Sequence, residues 1–91
     1  MPRPKKNRRL NFEPNVYYFK PRGIPLRELE EVVIKPDELE ALKLHDIDGL
    51  EHIAAAKKMN ISQSTFTRIL NKAYKNLAEG IIGGKAIRIE K

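Results

Sequence analysis

The chain has 91 residues, no cysteine and a formal net charge of +6 at pH 7. This length is enough for one small domain with one modest core, and the absence of cysteine excludes disulfides and thiolate metal sites. No apolar run approaches the roughly 20 residues that span a bilayer, and no hydrophobic segment follows the basic N-terminus. We therefore expect a soluble cytoplasmic protein with no membrane partner.

Charge is distributed unevenly along the chain. Residues 1–27 hold eight Lys or Arg and one acid, residues 28–56 hold nine acids and two lysines, and residues 57–91 hold eight basic residues and two acids. Basic segments suit a polyanion partner, so the two ends are expected to face a nucleic acid and the acidic middle to face away. A chain that is basic without any such partner is the other interpretation.

Residues 1–11 are predicted to form a basic flexible arm in front of one domain, residues 12–91. Prolines interrupt the arm and it has no apolar periodicity, so a solvated tail is expected in the free protein. On DNA, its cations would contact phosphates or enter the minor groove. These cations are Arg3, Lys5, Lys6, Arg8 and Arg9.

Residues 16–20, VYYFK, predict a short strand because they are mainly β-branched and aromatic. Tyr17 and Phe19 are predicted to fill the core, although aromatic residues beside cations also stack on bases. Further along, residues 26–30 favour a helical turn and residues 32–34 an extended segment.

The first helix is predicted over residues 36–46. Pro36 suits the first helical position, where its missing amide costs nothing. Asp37 and Glu38 carry the sign that a helix N-terminus favours. The apolar residues of this helix cover more than one face, so we expect it to pack on two sides. They are Leu39, Leu42, Leu44 and Ile47.

Two further helices, about 51–59 and 63–79, are predicted with a sharp turn between them. Asn60 lies at the turn and tolerates the left-handed conformation that such a turn needs. Ser62 is a suitable N-cap for the second helix, which is expected to stop at Gly80. Apolar residues recur at helical spacing along one side of it. They are Phe66, Ile69, Leu70, Ala73 and Leu77.

The opposite side of the last helix is polar and cationic. Gln, Asn and Arg make paired hydrogen bonds to base edges, and the start of the second helix of a helix-turn-helix reaches the major groove. The residues expected to contact bases are Gln63, Ser64, Thr67, Arg68 and Asn71. Those expected to contact phosphates, besides the arm, are Lys57, Lys58, Lys72 and Lys75. An ordinary surface helix shows the same two faces, and it stays open as the alternative.

Residues 86–90 predict a half-buried strand, because Ile87 and Ile89 alternate with charged residues. A lone strand is unstable in water, so it should pair with the strand at 16–20. This pairing is expected within one chain or across a homodimer, an assembly from which small chains often gain stability.

The sequence predicts no catalytic, metal or cofactor site, and hence no enzyme. The glycine-rich segment before Lys85 lacks the spacing and the Ser or Thr of a phosphate loop. His45 and His52 lie seven residues apart on two different predicted helices, without cysteines. The hydroxyl side chains at residues 62–65 have no base that would activate a nucleophile.

The chain carries five recognisable motifs: PRPKKNRR at 2–9, YFKPRGIPL at 18–26, DELEALKLHDIDGL at 37–50, MNISQSTFTRIL at 59–70 and GKAIRIE at 84–90. On these motifs it resembles a small prokaryotic family of uncharacterised, predicted DNA-binding proteins, uncharacterised protein family 0251 or domain of unknown function 134. The family's helix-turn-helix is similar to region four of bacterial sigma factors. Members usually have Gly where this chain has Asn60, and often Cys near Asn7, so no metal or redox role tied to that cysteine is carried over.

The resemblance implies a mainly α fold, in which a three-helix, sigma region-four-like helix-turn-helix core carries short N- and C-terminal β-strands. It also implies sequence-specific binding of double-stranded DNA in transcription regulation. Carried onto matching positions, Ser62 and Thr65 are cap and first-turn residues, Phe66 is core, and Gln63 and Arg68 belong to the binding helix. The alternative function is a protein-interaction module that docks on RNA polymerase or another regulator.

Overall fold

The computed structural model describes residues 16–91, so the predicted basic arm, with its cations from Arg3 to Arg9, lies outside the described residues. The described chain is mainly helical, with three α-helices and a small sheet. The elements are β1 Val16–Phe19, β2 Glu31–Ile34, α1 Pro36–Leu42, α2 His52–Met59, α3 Gln63–Gly83 and β3 Ala86–Glu90. No helix between residues 16 and 91 is both long and apolar enough to cross a membrane.

The three strands form one mixed sheet in the order β1-β3-β2. β3 lies in the centre, antiparallel to β1, with Tyr17 opposite Ile89, and parallel to β2, with Val32 opposite Ile87. The predicted pairing of the first and last strands is therefore confirmed, and it occurs within one chain. The sequence predicts an extended segment at residues 32–34 but not its place in the sheet.

α1 continues into a widened turn. At its start, proline occupies the first position and the Lys35 amide donates to Glu38 Oε1 at 3.0 Å. From Lys43 to Ile47 the helix becomes π-helical, and the Asp48 amide donates to the Lys43 carbonyl at 2.9 Å. Ile47 is left 79% exposed at the end of this turn, so the expectation that it packs inside is wrong.

Two side-chain contacts hold the π-helical turn. Lys43 and Asp48 form an ion pair at 2.9 Å, and the hydrogen bond within it raises the pKa of Lys43 above its usual value. The Tyr74 hydroxyl donates to the Asp46 carboxylate at 2.8 Å; partial burial, and then this hydrogen bond, raise the pKa of Tyr74. Asp46 therefore ties the π-helical turn to the middle of α3.

The core consists of two hydrophobic clusters that share α1. The helical cluster contains Ala41, Leu44, Ala55, Ala56, Phe66 and Leu70. The sheet cluster contains Val32, Ile34, Ile87 and Ile89. Leu42 packs against both clusters, which confirms that α1 packs on two sides. Phe66 is completely buried, as predicted for a core residue.

Gly80 lies inside α3 and does not end it. The helix runs to Gly83, and Gly84, with a φ of 64°, forms the left-handed C-cap, so the predicted stop at Gly80 is wrong. A Cβ added to Gly80 would lie 2.5 Å from Ile87 Cγ1 and 3.0 Å from Val32 Cγ2. Glycine is required here because α3 crosses the sheet at close range.

The aromatic side chains of β1 are exposed, and the prediction that Tyr17 and Phe19 fill the core is wrong. They lie on the helix-bearing face of the sheet, because they pair with Ile89 and Ile87, yet 40% and 60% of their surfaces remain accessible. β1 is an edge strand, and the contacts of α1 and α3 with the sheet are made mainly through β2 and β3.

Candidate nucleic-acid interface

The turn between α2 and α3 is set by two residues. Asn60 has φ 60° and ψ 43°, in the left-handed region that asparagine tolerates better than most residues. After it, the Ile61 amide donates to the Ala56 carbonyl at 3.0 Å. Ser62 Oγ then accepts the Thr65 amide at 3.2 Å, which confirms the predicted N-cap. Local chemistry thus fixes where α3 begins.

The side of α3 that faces away from the helical cluster is exposed and contains no acid between residues 63 and 78. We call this surface the polar face. Its exposed members are Gln63, Ser64, Arg68, Asn71, Lys72 and Lys75. Because residues three and four apart are neighbours on a helix, they form a continuous strip along the first half of α3. The structure therefore brings together four of the five predicted base-contacting residues and two of the predicted phosphate-contacting lysines.

Arg68 leans toward the start of α3. The Ser62 hydroxyl donates to Thr65 Oγ1 at 2.9 Å, and Arg68 Nη2 donates to the same oxygen at 3.3 Å. Long helical side chains generally lie over the preceding turn, so this contact follows their usual direction. It places an exposed guanidinium above the first turn of α3.

Thr67 differs from the other predicted base-contacting residues because it is half-buried. Its Oγ1 and His52 Nδ1 form a hydrogen bond of 2.9 Å, which joins α3 to α2. The His52 ring in turn packs edge-on against Phe66, with ring centroids 5.4 Å apart. The sequence does not predict this pairing, since a separation of fifteen residues produces no periodic signal.

The last turn of α2 and the first turn of α3 flank the interhelical turn, and of these two helix ends only the start of α3 favours an anion. The first turn of α3 carries no acidic side chain, so the partial positive charge of its free amides is not neutralised locally. Lys57 and Lys58 lie exposed in the last turn of α2. Their charge also complements the C-terminal end of the α2 dipole, which gives them a structural role whether or not they meet phosphates as predicted.

An acidic residue borders the polar face. A shallow cleft of about 500 Å³ is lined on one side by the start of α1, including exposed Asp37, and on the other by Arg68, Asn71 and Lys72. Asp37, from the acidic middle of the chain, therefore borders the surface that is predicted to face a nucleic acid. A carboxylate here repels phosphate but accepts hydrogen bonds from donors such as the cytosine amino group.

His45 and His52 meet at the junction of α1 and α2. Their rings are nearly perpendicular, with centroids 4.9 Å apart. His45 Nδ1 donates to the Leu50 carbonyl at 2.7 Å, and His52 Nδ1 is engaged with Thr67. Within residues 16–91 there is no group of three or more His, Asp or Glu side chains that could hold a metal ion. The pair packs the junction together.

Comparison with known protein sequences shows the family of this chain. The family described as Protein of unknown function DUF134 matches residues 1–91. The chain belongs to this family. A UPF0251 protein of Desulfosudis oleivorans is 56% identical over 90 residues, covering 99% of this chain and 65% of its own length. A UPF0251 protein of Moorella thermoacetica is 53% identical, covering 99% of this chain and 60% of its own length.

A third relative, UPF0251 protein TTE1845 of Caldanaerobacter subterraneus, is 51% identical, covering 99% of this chain and 76% of its own length. The chain therefore spans about 60 to 76% of the length of these relatives. No solved structure matches it. The membership of this family that the five motifs predict is confirmed.

Proposed function

We propose that this protein binds double-stranded DNA in a sequence-specific manner as a homodimer and regulates transcription. The observation that carries the proposal is the polar face: an exposed, acid-free strip on a helix that starts at a capped turn. In this proposal α2, the Asn60 turn and α3 act as a helix-turn-helix, similar to region four of bacterial sigma factors. The start of α3 would enter the major groove.

The structure supports different roles for the residues of the polar face. Arg68 and Gln63 carry exposed groups at the start of α3, where paired hydrogen bonds to guanine and adenine are made in such motifs. Lys72 and Lys75 lie further along α3, and with Lys57 they would neutralise phosphates. Thr67 would act indirectly, by holding α3 against α2.

Replacing Arg68 tests the base-reading role. Duplexes selected by the protein from a random pool provide the probe, and fluorescence anisotropy measures affinity for them and for unselected duplexes. We expect Arg68→Ala to weaken binding to the selected duplex by about 1–3 kcal/mol and to relax base preference at one position. Unchanged affinity and preference would refute the assigned recognition face.

Replacing Lys75 tests the phosphate role separately. Lys75→Ala should weaken selected and unselected duplexes alike, and should reduce the slope of log affinity against log salt by about one. Arg27→Ala is the charge-matched control. Arg27 lies just before β2, and the carbonyl of Glu30, which flanks β2, accepts the Ala86 amide. Ala86 follows the C-terminal end of α3, so Arg27 lies toward the end of α3 that is far from the proposed base-reading residues. The control should leave both affinities unchanged.

A protein-interaction module that docks on RNA polymerase or another regulator is the second candidate. It is favoured by the acids of residues 28–56, all of which are exposed except Glu38. Random-sequence DNA distinguishes the two functions, because binding driven by phosphate contacts falls steeply with salt. Absence of binding at low salt, or binding insensitive to salt, would favour the interaction module.

A further inference from the structure

The surface around β1 is apolar and lies at the opposite end of α3 from the polar face. A groove of about 350 Å³ runs between the helix-bearing face of β1 and the end of α3. Its walls contain no charged residue and are formed by Tyr17, Phe19, Ile34, Leu39, Leu42, Leu77, Ile81, Ile87 and Ile89. Lys91 lies at the rim, with its ammonium 5.2 Å from the centre of the Tyr17 ring. An apolar centre with a polar rim is typical of a protein interface.

Of the two edge strands of the sheet, β2 is protected against pairing with another strand and β1 is not. On β2, the Asn76 side chain donates to the Val33 carbonyl at 3.2 Å, and Glu31 places an exposed charge at the start of the strand. Charges of this kind discourage edge-to-edge pairing. β1 has no charged residue from Val16 to Phe19, and among the described strands it pairs only with β3. Its outer edge is a template for another strand.

The exposed area of the two β1 aromatic side chains is too small by itself to form a stable interface. Tyr17 and Phe19 are 40% and 60% exposed, and at about 150–250 Å² per aromatic side chain they leave roughly 150–250 Å² uncovered. A stable interface buries about 800 Å² per partner. The occupant must therefore also cover Ile81, which is 72% exposed, and the backbone edge of β1.

We propose that a second copy of this chain covers this surface. In a two-fold dimer β1 of one protomer pairs antiparallel with β1 of its partner, and the two sheets become one of six strands. Each copy then contributes the same strand edge, aromatic pair and protruding isoleucine, which is the self-complementarity that an isologous interface requires. Tyr17, Phe19 and Ile81 of both copies close the gap between the two sets of helices.

This inference specifies the homodimer of the proposed function, but it is tested without DNA, so either proposal can fail alone. Ile81 and Ile82 form a matched pair: they are adjacent on α3 and 72% and 85% exposed, but only Ile81 lines the groove. Analytical ultracentrifugation of the full chain over a wide concentration range should show a dimer. Ile81→Glu should raise the dimer dissociation constant at least about 100-fold, because it places an unpaired carboxylate in an apolar interface.

Ile82→Glu should leave that constant nearly unchanged, and both variants should keep the far-ultraviolet circular dichroism spectrum of the parent. Hydrogen exchange gives an independent readout of strand pairing: the outward amides of β1 should be protected in the dimer and lose that protection in Ile81→Glu.

A monomeric parent, equal effects of the two variants, or rapid exchange of the outward β1 amides in the dimer would each overturn the proposal. A monomer in which residues 10–15 show nuclear Overhauser contacts to Ile81 would also overturn it, and would identify the chain's own segment as the occupant.

Discussion

The helical cluster and the sheet cluster both consist of apolar residues but are closed to different degrees. In the helical cluster, three helices surround Phe66 and Leu70, which are 0% and 1% exposed, and the outer surface of α3 is polar. In the sheet cluster, Ile34 is fully buried, yet the neighbouring aromatic residues Tyr17 and Phe19 remain open. The helical cluster is closed within the chain, whereas the sheet cluster is bordered by exposed aromatic surface that suits a protein partner.

The contrast separates two kinds of surface along one helix. The first half of α3 carries Arg68 and Lys75, which suit a polyanion, and its last turns carry Ile81 among apolar neighbours. The cationic side chains of α3 are therefore kept out of the apolar groove, and apolar side chains are kept out of the polar face. Each surface can be altered by substitutions that leave the other intact.

The strongest test of the contrast makes the same substitution at both ends. Phe66→Ala should lower the free energy of unfolding by about 3–5 kcal/mol, because it removes a fully buried ring and leaves a cavity. Phe19→Ala should lower it by less than about 1 kcal/mol, since most of its ring is already in water. Urea denaturation, at a protein concentration where both variants are monomeric, measures the two values. Similar losses would mean that the sheet cluster is as closed as the helical one.

A smaller effect is expected where α3 crosses from one cluster to the other. Gly80→Ala gains about 1 kcal/mol of helix propensity but forces a Cβ against Ile87, and overpacking costs about 1–3 kcal/mol. We expect a net loss of up to about 2 kcal/mol in thermal or urea unfolding. Gly83→Ala is the control, because its Cβ would meet only the flexible Lys85 side chain at 3.3 Å. A stabilising Gly80→Ala would show that the helix does not approach the sheet as closely as described.

The smallest effect concerns the start of α3. Ser62→Ala removes the oxygen that accepts the Thr65 amide and should cost about 1 kcal/mol of stability. Ser64→Ala, two residues on and exposed, should change stability by less than about 0.5 kcal/mol. Differential scanning calorimetry of both variants gives the comparison. If the two serines proved equivalent, the cap would not determine where the helix begins.

Features that depend on neighbouring residues could be predicted from the sequence, and features that depend on distant contacts could not. Asn60 and Ser62 act on their own backbone, so the turn and the start of α3 follow from local chemistry. Gly80 resembles a helix stop in the sequence, and its true role is visible only once Ile87 lies beside it. Tyr17 and Phe19 are predicted to lie in the core because composition does not reveal that β1 is an edge strand.

The candidate site follows the same division. Helical spacing predicts the exposure of Gln63, Arg68 and Asn71, because it fixes which residues share a face. It does not predict that Thr67 bonds to His52, or that Asp37 borders the face, because these contacts depend on how α1 and α2 pack against α3.

α3 runs without interruption for 21 residues from Gln63 to Gly83, a length of about 30 Å. The number of residues in this helix therefore fixes both the distance between its two ends and the angle by which one end is rotated relative to the other. One inserted residue in the middle would shift the ends apart by about 1.5 Å and turn one relative to the other by about 100°. A partner bound at Arg68 and a partner bound at Ile81 are therefore held at a fixed distance and orientation, because α3 has no hinge that could change either one.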